Sequence, residues 1–435
     1  MAKKKEAPVS LLVPAEEQPY KIPDNWYWVE FSNIAVIKTG KKDANYGSDD
    51  GKYFFFTCAS EPIRCENYSF DCKAILLAGN GNINNISMYE GKFEAYQRTY
   101  VVEVKAPSLT EYFYYYFQYK WVDYNTDKMF GTAIPYIRLG NLQKFPVPIP
   151  SLLEQQRIVA RVESLFIKLD EAKEKAQAVV DGFELRKSGI LHKAFTGKLT
   201  EKWRKKNRIS LDSWKDQTVG QICKEVKVGI VIKPSQYYTD EKNGTPAFRS
   251  ANVRESHIDN FDWVYLDSAG MEQNKRSIVH TGDVLVVRSG NPGTSCVVTE
   301  EFDGYNAIDI LIAVPDLSQV TAHFLSAYTN SPFGKNLVTE NKRGMALMHF
   351  NVKGYSNLPI KVPSLPEQEI CIQTLSILLN REQKAKEAAE AVLGRIDTMK
   401  KAILARAFRG ELGTNNPAEE SALELLNLSG VKVLT

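Results

Sequence analysis

Cysteine and histidine are scarce in this chain: six of the first and five of the second in 435 residues. Cys58, Cys65, Cys72, Cys223, Cys296 and Cys371 build no CxxC pair with a neighbouring histidine, so no metal site is expected. Sparse cysteine also fits a reduced, cytoplasmic compartment. No apolar run approaches the ~18 residues of a membrane span, which argues against a membrane partner. The opening MAKKKEAPVS is basic but lacks the apolar stretch of a secretory signal. An excess of one charge is missing too, with 55 Lys and Arg against 52 Asp and Glu. At a net charge of +3, any nucleic-acid surface must be a local patch. The 43% hydrophobic and 25% charged residues are those of a folded chain, with length for about three structural units.

Catalytic signatures are absent as well. Gly47 to Tyr53 is too short for a phosphate loop and lacks its hydroxyl. Asn291-Pro-Gly-Thr294 and Ser331-Pro-Phe-Gly334 both miss the Asn/Asp/Ser-Pro-Pro-aromatic tetrapeptide of DNA amino-methyltransferases. No H-E-x-x-H occurs, and Gly79-x-Gly81 reads as a strand-to-turn junction. Ser256-His257-Ile258-Asp259 is a triad in letters only, because neighbours in a strand alternate faces. No catalytic residue and no bound cofactor is expected.

What the sequence does hold is a repeat. Pro-Ser-Leu-Leu-Glu-Gln at 150–155 returns as Pro-Ser-Leu-Pro-Glu-Gln at 363–368, and the match runs ungapped from Gly131/Gly344 to Leu199/Leu412 with about a third of positions identical. Each copy predicts one long helix. Ser151-x-x-Glu154 and Ser364-x-x-Glu367 are capping boxes. Behind them apolar residues follow at 4 and 3 spacing: Ile158, Val162, Leu165, Leu169, Ala172, Ala176, Val179 and Phe183. The second copy gives Cys371, Leu375, Leu378, Glu382, Ala385, Ala389, Val392, Ile396, Met399 and Ile403. This is a coiled-coil seam, and the two helices are expected to pair with each other.

Segments 1–150 and 201–363 are rich in strand-like runs broken by Gly, Asn and Pro. Ala74-Ile-Leu-Leu-Ala-Gly-Asn-Gly-Asn82 resembles Asp283-Val-Leu-Val-Val-Arg-Ser-Gly-Asn291, and Trp26, Ile34 and Gly40 have an echo in Trp214, Ile222 and Gly229. The order is therefore globule, helix, globule, helix, in an α+β chain with two mixed α/β globules and a pseudo-two-fold internal repeat. The aromatic run Tyr112–Phe117 and its counterpart His323–Tyr328 read as core helices rather than base-stacking platforms.

Nine Lys and Arg crowd into residues 186–208, a candidate phosphate surface that includes Lys198, Lys202 and Arg204. A solvated helix end is the alternative. Further candidate cations are Lys38, Lys41 and Lys42, Lys227, and Lys342 with Arg343. Base edges are read by Arg, Lys, Asn and Gln, which singles out Asn80, Asn82, Gln97 and Arg98 in the first globule. In the second they are Arg249, Asn252, Arg288 and Asn291.

Phe145-Pro-Val-Pro-Ile-Pro-Ser-Leu-Leu-Glu-Gln-Gln-Arg-Ile158 and Ala194-Phe-Thr-Gly-Lys-Leu199, with their second copies at 358–368 and 407–412, resemble the specificity (S) subunits of Type I restriction–modification systems. Ile370-Cys371 departs from the first copy's Arg157-Ile158. The resemblance implies two target-recognition domains, 1–150 and 201–363. It also implies an antiparallel coiled coil from 151–200 and 364–413, and a tail at 414–435. Each domain would read one half of a bipartite site in double-stranded DNA, with the helices fixing the spacer. Two methyltransferase (M) and two restriction (R) subunits would be the partners, using S-adenosylmethionine and ATP/Mg. A coiled-coil adaptor without DNA specificity is the competing reading.

Overall fold

The computed structural model describes residues 12–335, 351–419 and 422. The chain divides into two compact units, one of residues up to Lys175 with those from Ala391 onward, the other Ala176–Glu390.

In the first unit a six-stranded sheet runs in the order β2 (Ala35–Thr39), β7 (Thr99–Val104), β5 (Phe70–Ala78), β6 (Ile86–Ala95), β3 (Tyr53–Phe56) and β4 (Ile63–Cys65). Beside it β1 (Tyr27–Glu30) pairs with β8 (Pro146–Ile149). Strand β5 ends in an unbroken apolar run because both its faces are covered. Ile75 and Leu77 join Tyr100 and Val102 under helix α1 (Thr110–Asn125), whereas Ala74 and Leu76 meet Phe56, Phe93 and Val101 on the other face. The aromatic run lies on α1 with Tyr112, Phe113, Tyr116 and Phe117 buried, a core helix as the sequence suggests. A short helix α2 (Leu139–Gln143) precedes β8.

The second unit repeats this plan. Strands β9 (Lys215–Thr218) and β20 (Pro359–Val362) pair as β1 and β8 do. Strand β10 (Cys223–Val228), β19 (Ile310–Pro315) and β16 (Val284–Val287) follow the order of β2, β7 and β5, with β17 (Ser295–Val297) at the edge. Val284, Val286, Leu311 and Ala313 face helix α7 (Ala322–Thr329), and Leu285, Val287, Ile310 and Ile312 face away from it. A smaller sheet has the order β11 (Tyr238–Thr239), β15 (Val264–Leu266), β12 (Thr245–Phe248) and β18 (Asn306–Ala307). Strands β13 (Val253–Arg254) and β14 (His257–Ile258) form a hairpin, and helices α6 (Ser268–Gln273) and α8 (Val352–Ser356) complete the unit. The echo of Gly40 in Gly229 has a cause. A Cβ would lie 1.8 Å from the Ala95 carbonyl at the first and 2.2 Å from the Ala307 carbonyl at the second.

The first long helix is not continuous, which corrects the sequence reading. It comprises α3 (Leu152–Asp181) and α4 (Phe183–Phe195), separated at Gly182, and α5 (Glu201–Asn207) follows. The Arg186 guanidinium lies back over this break, donating to the Val179 carbonyl at 2.7 Å and to Glu382 at 2.6 Å. A side chain at 182 would collide with it, its Cβ 2.4 Å from Nη1. The second long helix, α9 (Leu365–Phe408), is unbroken. Within each unit the helices run antiparallel: Asp170 bonds Lys400 in one, and Arg186 bonds Glu382 in the other. Ala176, Phe183, Ala389 and Ile396 are buried, while Leu165, Leu169, Ala172, Val179 and Leu378 are half-buried. Ala385, Val392 and Met399 are exposed, so the expected seam is wrong at these three places. Lys386 takes the position instead, its ammonium 4.8 Å from the Phe183 ring centre.

The repeated Ala-Phe-x-Gly-x-Leu ends each long helix and anchors it in a globule. Gly197 and Gly410 both sit at φ +73°, and the Leu199 and Glu411 N–H groups reach back to the Lys193 and Arg406 carbonyls. That is a left-handed helix cap, which favours glycine. Phe195 packs on Phe324 and Tyr328 at 5.3 Å, and Phe408 on Tyr116 and Tyr112 at 4.9 and 5.2 Å. The Tyr116 and Tyr328 hydroxyls in turn donate to the Pro146 and Pro359 carbonyls.

The glutamates of the expected capping boxes are buried and aim elsewhere. Glu154 accepts from Thr414 at 2.5 Å and from Arg157 at 2.9 Å. Glu367 accepts from Thr200 and Arg204, both at 2.6 Å. Each start of a long helix is thus tied to the residues that follow the end of the other. Where the second copy has Ile370 in place of an arginine, Arg204 of α5 supplies the guanidinium.

Candidate nucleic-acid interfaces

In the first globule several candidates converge on one edge of the large sheet. The Gln97 N–H donates to the Lys42 carbonyl at 2.9 Å and the Gly79 N–H to the Arg98 carbonyl at 2.8 Å, which draws three loops together. Asn80 bridges to Tyr136 on the same edge. Lys41 and Arg98 are exposed, and Lys42 lies over the Tyr46 ring at 4.4 Å. Two candidates are tied down: Gln97 donates to Asp43 at 2.9 Å, and Asn82 accepts from the Asn84 N–H at 3.1 Å. Lys38 faces along the sheet to Glu103 at 2.7 Å. Arg138 joins this edge unpredicted, its guanidinium 3.9 Å from the Phe130 ring centre, and exposed Ile134 stands on the same loop. The only sequence signal for them was their place at the start of the repeat.

The second globule holds its cations more tightly. Arg249 pairs with Asp262 at 2.7 Å, Arg288 with Asp309 at 2.6 Å, and Lys227 lies 3.8 Å from Glu225. Asn291 is exposed on its turn. Asn252 is a correction: it is fully buried, accepting from the Arg249 N–H at 2.9 Å and donating to the Phe261 carbonyl at 2.7 Å. It caps a turn and is closed to DNA. Lys342 and Arg343 lie outside the described residues. Ile230 and Val231 stand where the first globule has Lys41 and Lys42, and Val231 with the next residue, Ile232, forms an exposed apolar stretch that the sequence reading passed over.

The basic stretch also shrinks. Arg204 is 6% exposed and bonds Glu367, Thr200 and the Gly197 carbonyl, so it is withdrawn as a DNA contact. Arg186 holds Glu382, and Lys187 holds Glu255. Lys193, Lys198, Lys202, Lys206 and Arg208 stay exposed and carry what phosphate-binding capacity this segment has.

The chemistry of a catalyst is not assembled among the described residues. No three His, Cys, Asp or Glu side chains come together to hold a metal. Burial pushes the Cys296 and Cys371 thiols up to about 12, the opposite of an activated nucleophile. His257 and Asp259 do approach, at 3.4 Å, since residues two apart share a strand face. Asp259 bonds Arg254 more closely, at 2.7 Å. No described helix is long and apolar enough to cross a membrane.

Comparison with known proteins bears on this surface. Residues 23–180 match the family described as Type I restriction modification DNA specificity domain. The chain is 28% identical over 420 residues to the EcoDI specificity subunit of Escherichia coli, covering 93% of this chain and 92% of that one. It is 25% identical over 304 residues to the EcoKI specificity subunit of Escherichia coli K12, covering 67% and 63%. Among solved structures, the HsdS subunit from Thermoanaerobacter tengcongensis superposes with a TM-score of 0.65 at 20% identity, over 91% of this chain and all of that one. At that identity the likeness concerns the fold.

Proposed function

Because the chain belongs to the specificity (S) subunits of Type I restriction–modification systems, which recognise DNA and leave catalysis to other subunits, we propose that its two globules each read one half of a bipartite, asymmetric DNA site. The long helices set the unread spacer and dock the partner subunits. Two M subunits would use S-adenosylmethionine to methylate adenine at N6. Two R subunits would use ATP and Mg for translocation and cleavage.

One observation carries this reading: the same strand order is built twice, in β2-β7-β5 and β10-β19-β16, and the side chains at its matching edge differ. The close-packed Gly40 and Gly229 and the left-handed Gly81 and Gly290 hold that edge in both globules. Around them Lys41 and Lys42 correspond to Ile230 and Val231, and Gly79 corresponds to Arg288. A common frame with different edges suits two readers of different sequences. Phosphate contacts from Lys198 and Lys202 would position the duplex without reading it.

The test is a genome-wide map of N6-methyladenine in cells that express the full chain with its methyltransferase. Two short sequences separated by a fixed gap are expected. A continuous motif would limit reading to one globule, and the absence of sequence-specific methylation and binding would favour the adaptor.

A further inference from the structure

The two globules end one pair of matching strands differently. Strands β5 and β7 are last paired through Ala78 and Thr99, and β16 and β19 through Val287 and Ile310. One residue beyond stand Gly79 and Arg98 in the first globule, and Arg288 and Asp309 in the second. The Arg288 side chain crosses to Asp309 at 2.6 Å and is 13% exposed. Its charge is committed inside the protein. At Gly79 no side chain can cross, because a Cβ would lie 2.3 Å from the Arg98 carbonyl. A cleft of about 330 Å³ therefore stays open, lined by Gly79, Gln97, Arg98, Tyr100 and Ile137. The Arg98 side chain is exposed beside it and makes no hydrogen bond or ion pair among the described residues. Its backbone is nevertheless fixed, by the Gly79 N–H at 2.8 Å and by the Cys58 thiol at 3.5 Å. An uncompensated guanidinium carried on a fixed backbone at the mouth of a cleft is free to make the bidentate contact that readout of a base edge requires.

We propose that Arg98 is a specificity-determining residue of the first globule, its guanidinium donating two hydrogen bonds to O6 and N7 of a guanine, and that Arg288 reads no base. The inference rests on the DNA-recognition reading above. It breaks the symmetry that the sequence alone suggests, in which both arginines are equal candidates.

The test compares full-length wild type, Arg98→Ala, Arg98→Lys and Arg288→Ala, each co-expressed with the methyltransferase partner. Methylated motifs are mapped, and each purified complex is titrated with duplexes carrying every base pair at each position of the wild-type site. Arg98→Ala is expected to relax one G·C position of one half-site, with discrimination there falling about 5- to 150-fold. Arg288→Ala is expected to keep the wild-type motif. Should the alanine variant not fold, Arg98→Lys is read in the same way, since it keeps the charge but loses the fork. An unchanged motif, or equal weakening on every duplex as for a phosphate contact, overturns the proposal. Relaxation by Arg288→Ala overturns its second half. A wild-type complex without any sequence preference would defeat the recognition reading itself before a variant is compared.

Discussion

Arg157 and Arg204 do the same chemical work from different places in the chain. Each neutralises a buried glutamate, Glu154 at 1% and Glu367 at 0% exposure, that also accepts from a threonine beyond the end of the other long helix. Arg157 sits one turn along its own helix, where the second copy has Ile370. Truncating one partner strands a buried charge, so Arg204→Ala should cost ~3–5 kcal/mol of stability by denaturant unfolding. Adding Ile370→Arg to that variant should restore part of it, because a guanidinium three residues after Glu367 repeats the Glu154–Arg157 arrangement; no recovery would mean that the two sites are not equivalent. Glu255 makes a separate, pH-dependent contribution. Burial alone would raise its pKa, but Lys187 and Lys335 outweigh that and hold it below 4.5. A depressed carboxylate stabilises the fold above its unfolded value and loses that contribution as pH falls through the folded one. Wild type should therefore be more stable than Glu255→Gln near neutrality, and the gap should close below about pH 4.5, read from melting temperatures across pH.

At the scale of elements, the helix ends matter more than the seam between them. Phe408 is fully buried among Tyr112, Tyr116 and Tyr119 and joins the end of α9 to α1. Phe408→Ala should cost ~3–5 kcal/mol by loss of that packing. Gly410→Ala should cost ~1–3 kcal/mol from the left-handed backbone alone, and its Cβ would also meet Pro23 at 2.4 Å. Thermal unfolding of both variants checks this, and a neutral Gly410→Ala would remove the cap argument. The sequence marks where these anchors lie, because the motif occurs twice, but not that its glycine caps the helix or that its phenylalanine docks in a globule. The strands of the globules were legible for the same reason, an apolar run ending in a glycine turn. Other features were hidden by their letters. Lys386 belongs to the seam through its ammonium, which lies over the Phe183 ring, yet a charged residue reads as solvent-facing. Arg204 lay in a basic run, and nothing local marks one cation of five as buried. Arg288 and Arg98 look alike in print, and only the strand register reveals that an aspartate faces one and a glycine the other.

For the whole molecule, the chain crosses from one unit to the other only within its long helices, between Lys175 and Ala176 and between Glu390 and Ala391. Each crossing point has its own unit's anchors on one side: Arg157, Glu154 and Phe408 for the first, Arg204, Glu367 and Phe195 for the second. Length added at both points leaves every one of those contacts intact, so recognition and spacing become separable variables. A single heptad keeps the 4 and 3 spacing of the apolar residues in phase and adds about 10 Å of helix at ~1.5 Å per residue. Along duplex DNA that is about three base pairs at ~3.4 Å each. Matched heptads inserted at both points should therefore give a methylated motif with both half-site sequences preserved and a spacer about three base pairs longer. An insertion in one helix alone puts the two crossings out of step and should lower methylation without defining a new spacer. If the matched variant folds, methylates and keeps the original spacer, the distance between half-sites is set by something other than the helices, and the docked partner subunits become the place to look for it.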